Sequence, residues 1–182
     1  MSILPPEMLP PPGTMINSLS VLAIHPDLAA ADLGMSHYLR FRSTLDQRSF
    51  ELLILRTAWL HGAEYELLRH ARKARRDGWT DEEIARVTLG STADGWTPVE
   101  VLLLRAVEEI DSDLCVSDAT WGALSEHFSQ KQLLDILFTI GLYTMHAIVF
   151  TSIGLEPEKD LAPFPLPEQS RQASDHPLKE SE

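Results

Sequence analysis

Apolar residues recur at helical spacing through most of the chain, and period-two alternation of the kind that marks strands is not sustained in any segment. Pro26 stands at a first helical position ahead of DLAAADLGMSHYLRFR, with Leu28, Ala31 and Leu39 as recurring apolar positions. A second helix is predicted from about Asp46 through FELLILRTAWL, stopped by His61-Gly62. A third runs from Ala63 to Arg76 and stops at Asp77-Gly78. Thr80 with Glu83, and Thr97 with Glu100, have the spacing of capping boxes, in which the side chain of each end satisfies the backbone N–H of the other. The helix after Thr97 carries Val99, Leu103, Ala106, Val107 and Ile110 on one face. Ser117 caps a helix with Trp121 and Leu124, and Ser129 with Gln132 opens a long apolar helix ending near Gly154. The fold class is all-α.

The ends read differently from this helical body over residues 16–156. Residues 1–15 hold Pro5, Pro6 and Pro10 to Pro12 and fit an extended arm. Residues 157–182 mix scattered charge with further prolines and read as an extended or disordered tail. The start, MSILPPEMLPPPG, has neither the basic region nor the apolar run of a signal peptide, so a cytoplasmic protein is expected. The run LLDILFTIGLYTMHAIVFTSIGL, residues 133–155, is long enough to cross a bilayer. It also holds Asp135, Thr139, Thr144, His146, Thr151 and Ser152 and lacks flanking basic clusters, so it is read as a core and interface helix rather than a membrane span.

Composition narrows the chemistry. A formal net charge of −12 over 182 residues gives nothing to a phosphate backbone, so no nucleic-acid partner is expected. Cys115 is the single cysteine, which removes intramolecular disulfides, CxxC redox pairs and cysteine-based zinc sites. The densest polar cluster among the apolar helices is ELLILRTAWLHGAEYELLRH, Glu51 to His70. Ala63, Glu66 and His70 lie at i, i+3 and i+7, on one helix face, with Glu66 one turn from His70. An antiparallel hairpin through His61-Gly62 would return Glu51 toward His70, and a carboxylate against an imidazole forms an acid–base pair active near neutral pH. Other readings compete: Glu51 as a first-turn acid, and Glu66 with His70 as an exposed surface pair. Arg56 is a candidate for a substrate carboxylate or for pairing with an acidic neighbour such as Glu51 or Glu66. His146 and His37 are candidate pocket residues, with Tyr38 beside them, although a satisfied core histidine accounts for His146 as well. One Glu-x-x-x-His pair does not make a di-iron repeat, so no metal and no cofactor are expected.

The segment ELLILRTAWLHGAEYELLRH resembles the carboxymuconolactone decarboxylase and alkylhydroperoxidase D-like (AhpD-like) superfamily. ARKARRDGWTDEEIARV, SDATWGALSEHFSQKQLLDILFTIGLYTM and the step at Gly154-Leu155 extend the resemblance over roughly residues 35–156. It implies an all-helical domain around an antiparallel helix hairpin, and a homo-oligomer, trimeric or hexameric. The redox branch carries Glu, Cys-x-x-Cys and His, positions that fall here on Glu51, Ala63, Glu66 and His70. Thiol peroxidase chemistry needs a thiolate and a resolving thiol, and Ala63 and Glu66 supply neither. What the resemblance leaves is a thiol-free set, Glu51, Glu66 and His70, suited to proton transfer on a small carbonyl- or carboxylate-bearing substrate. Decarboxylation, isomerisation and elimination all fit, as a cofactor-independent lyase or isomerase. Antioxidant peroxidase activity through Cys115 and a non-catalytic binding or scaffold role are the alternatives.

Overall fold

The computed structural model describes residues 16–166. Eight α-helices run in order: α1 (Asn17–Leu22), α2 (Pro26–Phe41), α3 (Gln47–Leu60), α4 (Glu64–Arg76), α5 (Asp81–Arg86), α6 (Pro98–Asp113), α7 (Asp118–His127) and α8 (Gln130–Ser152). A 3-10 turn, Val87–Thr92, follows α5, and the described residues contain no strand. The capping signals act where the sequence puts them. Thr80, Thr97 and Ser129 each form a complete capping box, and Asp46 and Ser117 accept from the third residue onward at the starts of α3 and α7.

Helix α3 is the axis of the fold. It packs against α4, α6 and α8. Leu52, Leu53, Ile54 and Leu55 are fully buried in succession, which happens only when a helix is covered on every side. That explains a run of apolar residues without clean amphipathic periodicity. It also means that any polar residue on α3 must find a partner inside the protein. The chain reverses at Gly62, whose φ of +60° is the left-handed conformation that ends α3 and lets α4 return antiparallel.

A main core joins α3, α4, α6 and α8 through residues such as Leu52, Leu103, Leu104, Ile136 and Ile140. A smaller cluster, Leu39, Phe50, Ile54, Leu142 and Tyr143, ties α2 to α3 and α8. That cluster sets the spacing between α2 and the hairpin. Helix α1 has no counterpart in the sequence pattern. Its six residues are too few to show a period, and it is held by tertiary bonds instead. The Ser18 backbone N–H donates to the Tyr65 hydroxyl at 3.1 Å, and the Asn17 N–H donates to Glu158 at 2.9 Å.

Residues 157–166 belong to the folded body rather than to a free tail. Arg69 and Arg72 of α4 pair with Glu158 and Asp160, and Phe164 stacks on Trp59 at 6.1 Å. The helical body therefore extends its packing past residue 156. The arm at residues 1–15 and the tail beyond 166 lie outside the described residues.

Helix α8 is long and apolar enough to cross a membrane by length and composition. One side packs into the core through Leu133, Ile136, Ile140 and Ala147. The other leaves Leu134, Phe138, Met145 and Ile148 exposed, a stripe that Met35, Tyr38 and Phe41 of α2 accompany in exposing apolar surface.

Candidate active site

The full burial of α3 decides the first feature of the site. Glu51 is completely inaccessible, and its carboxylate is met from two directions. The Gln47 side-chain amide donates to Oε1 at 2.9 Å, and His70 Nδ1–H donates to Oε2 at 2.6 Å. Burial opposes the charge of Glu51, but the charge and hydrogen bond of His70, helped by Lys73 and Arg40, hold its carboxyl below the usual range. The expected return of Glu51 across the hairpin to His70 is therefore what the structure contains.

His70 has a second edge. Its Nε2 lies 3.3 Å from Glu66 Oε2, one turn back on α4, and 3.2 Å from Lys73 Nζ, one turn on. Glu66 in turn reaches His146 Nδ1 at 3.7 Å, and His146 Nε2–H donates to Asp32 at 2.6 Å. A continuous chain of alternating carboxylates and imidazoles runs from Glu51 to Asp32 and joins α3, α4, α8 and α2. Burial again opposes the charge on Glu66, and the bond and charge of His70, then His146 and Lys73, lower its carboxyl overall. Asp32 Oδ2 is buried with no hydrogen-bond partner among the described residues.

This chain opens on a cavity of about 400 Å³ enclosed by α1, α2, α4 and α8. Its wall is mostly apolar, with Leu19, Leu33, Phe41 and Phe150 beside the polar groups Asp32, Glu66, His70 and His146. Tyr143 stands edge-on to His70 at 4.9 Å and to His146 at 5.3 Å. Burial, with Glu66 and Glu51 nearby, pushes its phenol well above the ordinary range, so it remains a hydrogen-bond donor. Arg40 also lines the cavity and has no carboxylate partner among the described residues. A convergent set of acid–base groups around an apolar hollow is the usual form of a small-molecule site.

Each expected residue can now be placed. Glu66, His70, His146 and His37 all line the cavity, with the His37 ring tilted against Phe41 at 5.1 Å. Glu51 stands behind His70 and does not reach the cavity, so it acts through the imidazole. Arg56 is the exception. Its guanidinium donates to the Val87 and Thr88 carbonyls at 2.9 Å and pairs with Glu108 at 3.0 Å, closing the 3-10 turn onto α3. Gly90, at φ +75°, permits this, because a Cβ there would collide with the Arg56 guanidinium and the Glu108 carboxylate. Arg56 is a structural cation outside the cavity, with a different acidic partner from those its sequence neighbourhood suggested. Tyr38 likewise turns away, to Asp135 at 3.3 Å. Cys115 is exposed and not part of the cavity wall.

Sequence reasoning missed Asp32, Lys73, Tyr143 and Arg40. Asp32 sits in AAADLG and its partner His146 is 114 residues away. Lys73 reads as one of several basic residues closing α4. The available signal was face position: Lys73 follows His70 by one turn, and Tyr143 precedes His146 by one turn. Among the described residues, no group of three or more His, Cys, Asp or Glu side chains is arranged to hold a metal ion.

Comparison with known proteins agrees with this architecture. Residues 26–109 match the Carboxymuconolactone decarboxylase family. The uncharacterized protein YdfG of Bacillus subtilis (strain 168) is 23% identical over 128 residues, which are 69% of this chain and 86% of that protein. Among solved structures, the alkylhydroperoxidase AhpD core protein of Ralstonia eutropha JMP134, an uncharacterized peroxidase-related protein, superposes with a TM-score of 0.73 at 20% identity, covering 82% of this chain and 80% of that one. A cysteine-to-alanine variant of the debrominase Bmp8, in complex with 2,3,4-tribromopyrrole, superposes with a TM-score of 0.71 at 16% identity, covering 81% and 79%.

Proposed function

We propose that this chain, whose residues 26–109 match the Carboxymuconolactone decarboxylase family and whose fold is that of AhpD-like structures, is an enzyme of that superfamily whose buried Glu51–His70 pair moves protons on a small carbonyl- or carboxylate-bearing substrate held in the α1–α2–α4–α8 cavity. The observation that carries this reading is the division of labour on one imidazole. His70 Nδ1 is tied to a carboxylate in the core, and its other edge belongs to the cavity wall. An acid–base catalyst needs this arrangement: one nitrogen fixed in the core, the other at the cavity, where Glu66 and Lys73 meet it and a bound ligand can exchange a proton with it.

The rest of the wall suits the same chemistry. A substrate carboxylate is matched by Arg40, a guanidinium with no carboxylate partner among the described residues. An enolate oxygen formed by loss of an α-proton or of carbon dioxide is met by the Tyr143 hydroxyl, a neutral donor in an apolar setting. Glu66 and the Asp32-bonded His146 add a second acid–base pair to the wall, 3.7 Å apart. No thiol lines this cavity, so peroxide reduction there lacks its nucleophile. The convergence of Glu51 and Glu66 on His70 supports the acid–base reading over a scaffold in which these side chains point to solvent or apart. The debrominase neighbour binds a small ring compound, which supports a ligand of that size on this scaffold.

We further propose a cytoplasmic homo-oligomer, trimeric or hexameric, with the exposed stripe of α8 (Leu134, Phe138, Met145, Ile148) at the subunit contact. The acid–base proposal is tested by deuterium wash-in. Small keto acids and cyclic ketones are incubated in D2O with the protein and followed by proton NMR. Catalysed exchange is expected from the wild type, with a loss on the order of 100-fold in His70→Gln. Equal exchange by both proteins would remove His70 from the chemistry.

A further inference from the structure

The acid–base reading does not use Lys73, and its placement asks for an explanation. A lysine ammonium is strongly hydrated and rarely left inside a protein without a carboxylate of its own. Lys73 has no carboxylate within ion-pair distance among the described residues. Its polar partner is His70 Nε2, at 3.2 Å, and its side chain lines the apolar cavity.

Two nitrogens at that distance share one N–H between them. Nε2 also faces Glu66 Oε2 at 3.3 Å, while Nδ1 faces Glu51 at 2.6 Å. An imidazolium satisfies both carboxylates at once, by donating from both ring nitrogens. In that state the Nζ atom must offer a lone pair, not a proton. The geometry thus accommodates a neutral amine beside a protonated imidazole, in the wall of a hollow large enough for a small ligand. Burial acts on Lys73 in the same direction, with Arg40 and Arg69 adding to it against Glu51 and Glu66, and lowers its pKa to about 8.

Building on the proton-transfer reading, we propose that Lys73 is a catalytic nucleophile that forms an imine with the carbonyl of a ketone or aldehyde substrate in this cavity. The Nζ lone pair attacks the carbonyl carbon and the C=O π pair moves onto oxygen, which takes the proton of the His70 imidazolium. The nitrogen of the adduct then gives up a proton to the imidazole that the oxygen has just discharged. The ring passes that proton to the hydroxyl, which leaves as water, so amine, carbonyl and imidazolium become protonated imine, water and neutral imidazole with no redox partner. The protonated imine draws electrons from the neighbouring carbon, so loss of an α-proton or of a β-carboxylate as carbon dioxide becomes easier. Hydrolysis then returns the amine. The substrate class narrows accordingly, to small ketones or aldehydes, including keto acids whose carboxylate meets Arg40.

The test uses acetylacetone, a neutral 1,3-diketone that traps a free amine as a stable enaminone. Whole protein is incubated near neutral pH and followed by near-ultraviolet absorbance, intact mass and peptide mapping. One adduct per chain is expected, with the mass of the diketone less one water, located on Lys73. It should form on the order of 100-fold faster than any adduct at the exposed Lys131 or Lys159, since a pKa near 8 leaves far more free amine. Lys73→Arg and Lys73→Met should lose that fast adduct. Labelling spread evenly over the lysines, or no fast labelling, overturns the imine. Deuterium wash-in keeps the two ideas apart. Labelling at Lys73 supports the nucleophile even where exchange fails, and exchange without labelling leaves an acid–base site with no covalent step.

Discussion

Replacing Glu51 by glutamine changes one charge at the centre of the molecule and almost nothing of its shape. The amide oxygen of the Glu51→Gln variant can still accept from His70 Nδ1–H, but the bond loses its charge assistance, falling from the ~1.5–3 kcal/mol of a bond to a charged group to the ~0.5–1.5 kcal/mol of a neutral one, a loss of about 1–1.5 kcal/mol. Truncation to alanine removes the acceptor altogether and leaves a polar ring nitrogen facing a void, for a loss of about 3–5 kcal/mol. The pH dependence separates the electrostatic part from packing. The folded protein holds the Glu51 carboxyl below its ordinary value of 4.5, so the pair's contribution is complete above that pH and is lost as pH falls through the lower folded value. Urea unfolding of wild type and Glu51→Gln at fixed protein concentration, from neutral pH down toward pH ~3, should therefore show a gap that narrows only on the acid side. Nitrogen-15 spectra of the His70 ring report in parallel whether Nδ1 still carries its proton. A Glu51→Gln variant as stable as wild type at neutral pH, or a gap that does not change with pH, would refute the reasoning that this pair fixes the ring.

Lys73→Met is expected to stabilise the protein at neutral pH by ~1–3 kcal/mol, because the folded state disfavours the ammonium. That advantage should fade as pH rises from about 8 toward 10.5, where the unfolded lysine also loses its proton; a constant advantage in thermal melts across that window would contradict it. Arg56→Met should cost about 1–3 kcal/mol, by removing the donor to two backbone carbonyls and the ion partner of Glu108, which keeps its bonds from Ser91, while leaving deuterium exchange per folded molecule unchanged. Phe138→Asp, on the exposed face of α8, should reduce the mass measured by light scattering without altering the helical circular dichroism, and an unchanged mass would place the subunit contact elsewhere.

The helices were legible because their signals are local. Thr80 with Glu83, Thr97 with Glu100, and Ser129 with Gln132 each complete a bond across three residues, and such spacing is readable without the fold. The Glu66–His70 step is local too, and so is the turn at Gly62 that brings Glu51 back. What stayed hidden was decided by tertiary placement. Asp32 is an acid among alanines until α8 lays His146 against it. Lys73 is a helix-ending cation until its cavity-facing side of α4 is distinguished from the side carrying Arg72, which reaches Asp160. Arg56 shows the converse: an arginine among apolar residues suggested a ligand, yet its partner Glu108 lies on α6, 52 residues on, a distance no local rule reaches.

The position of Glu66 bears on how such a site differs from the redox branch that the sequence resembles, whose second cysteine falls there. A thiolate at that place would meet His70 on one side and His146 on the other, with Lys73 close by, the electropositive surroundings that stabilise a sulfur anion. The same groups now hold the Glu66 carboxyl below its ordinary value. The surroundings thus favour an anion at this position, and the anion present is a carboxylate, which peroxide does not oxidise. Glu66→Cys, in a Cys115→Ser background, puts this to a direct test. The introduced thiol should titrate roughly one unit below the ~8.5 of a free cysteine, less than a closer contact would give, because its side chain is shorter than that of glutamate. Alkylation rates by iodoacetamide across pH give the value, and adding His70→Gln should move it back upward. A thiol that titrates at or above the ordinary value would show that burial outweighs the imidazoles at this position, and that the depressed Glu66 depends on its hydrogen-bond geometry rather than on the charge around it.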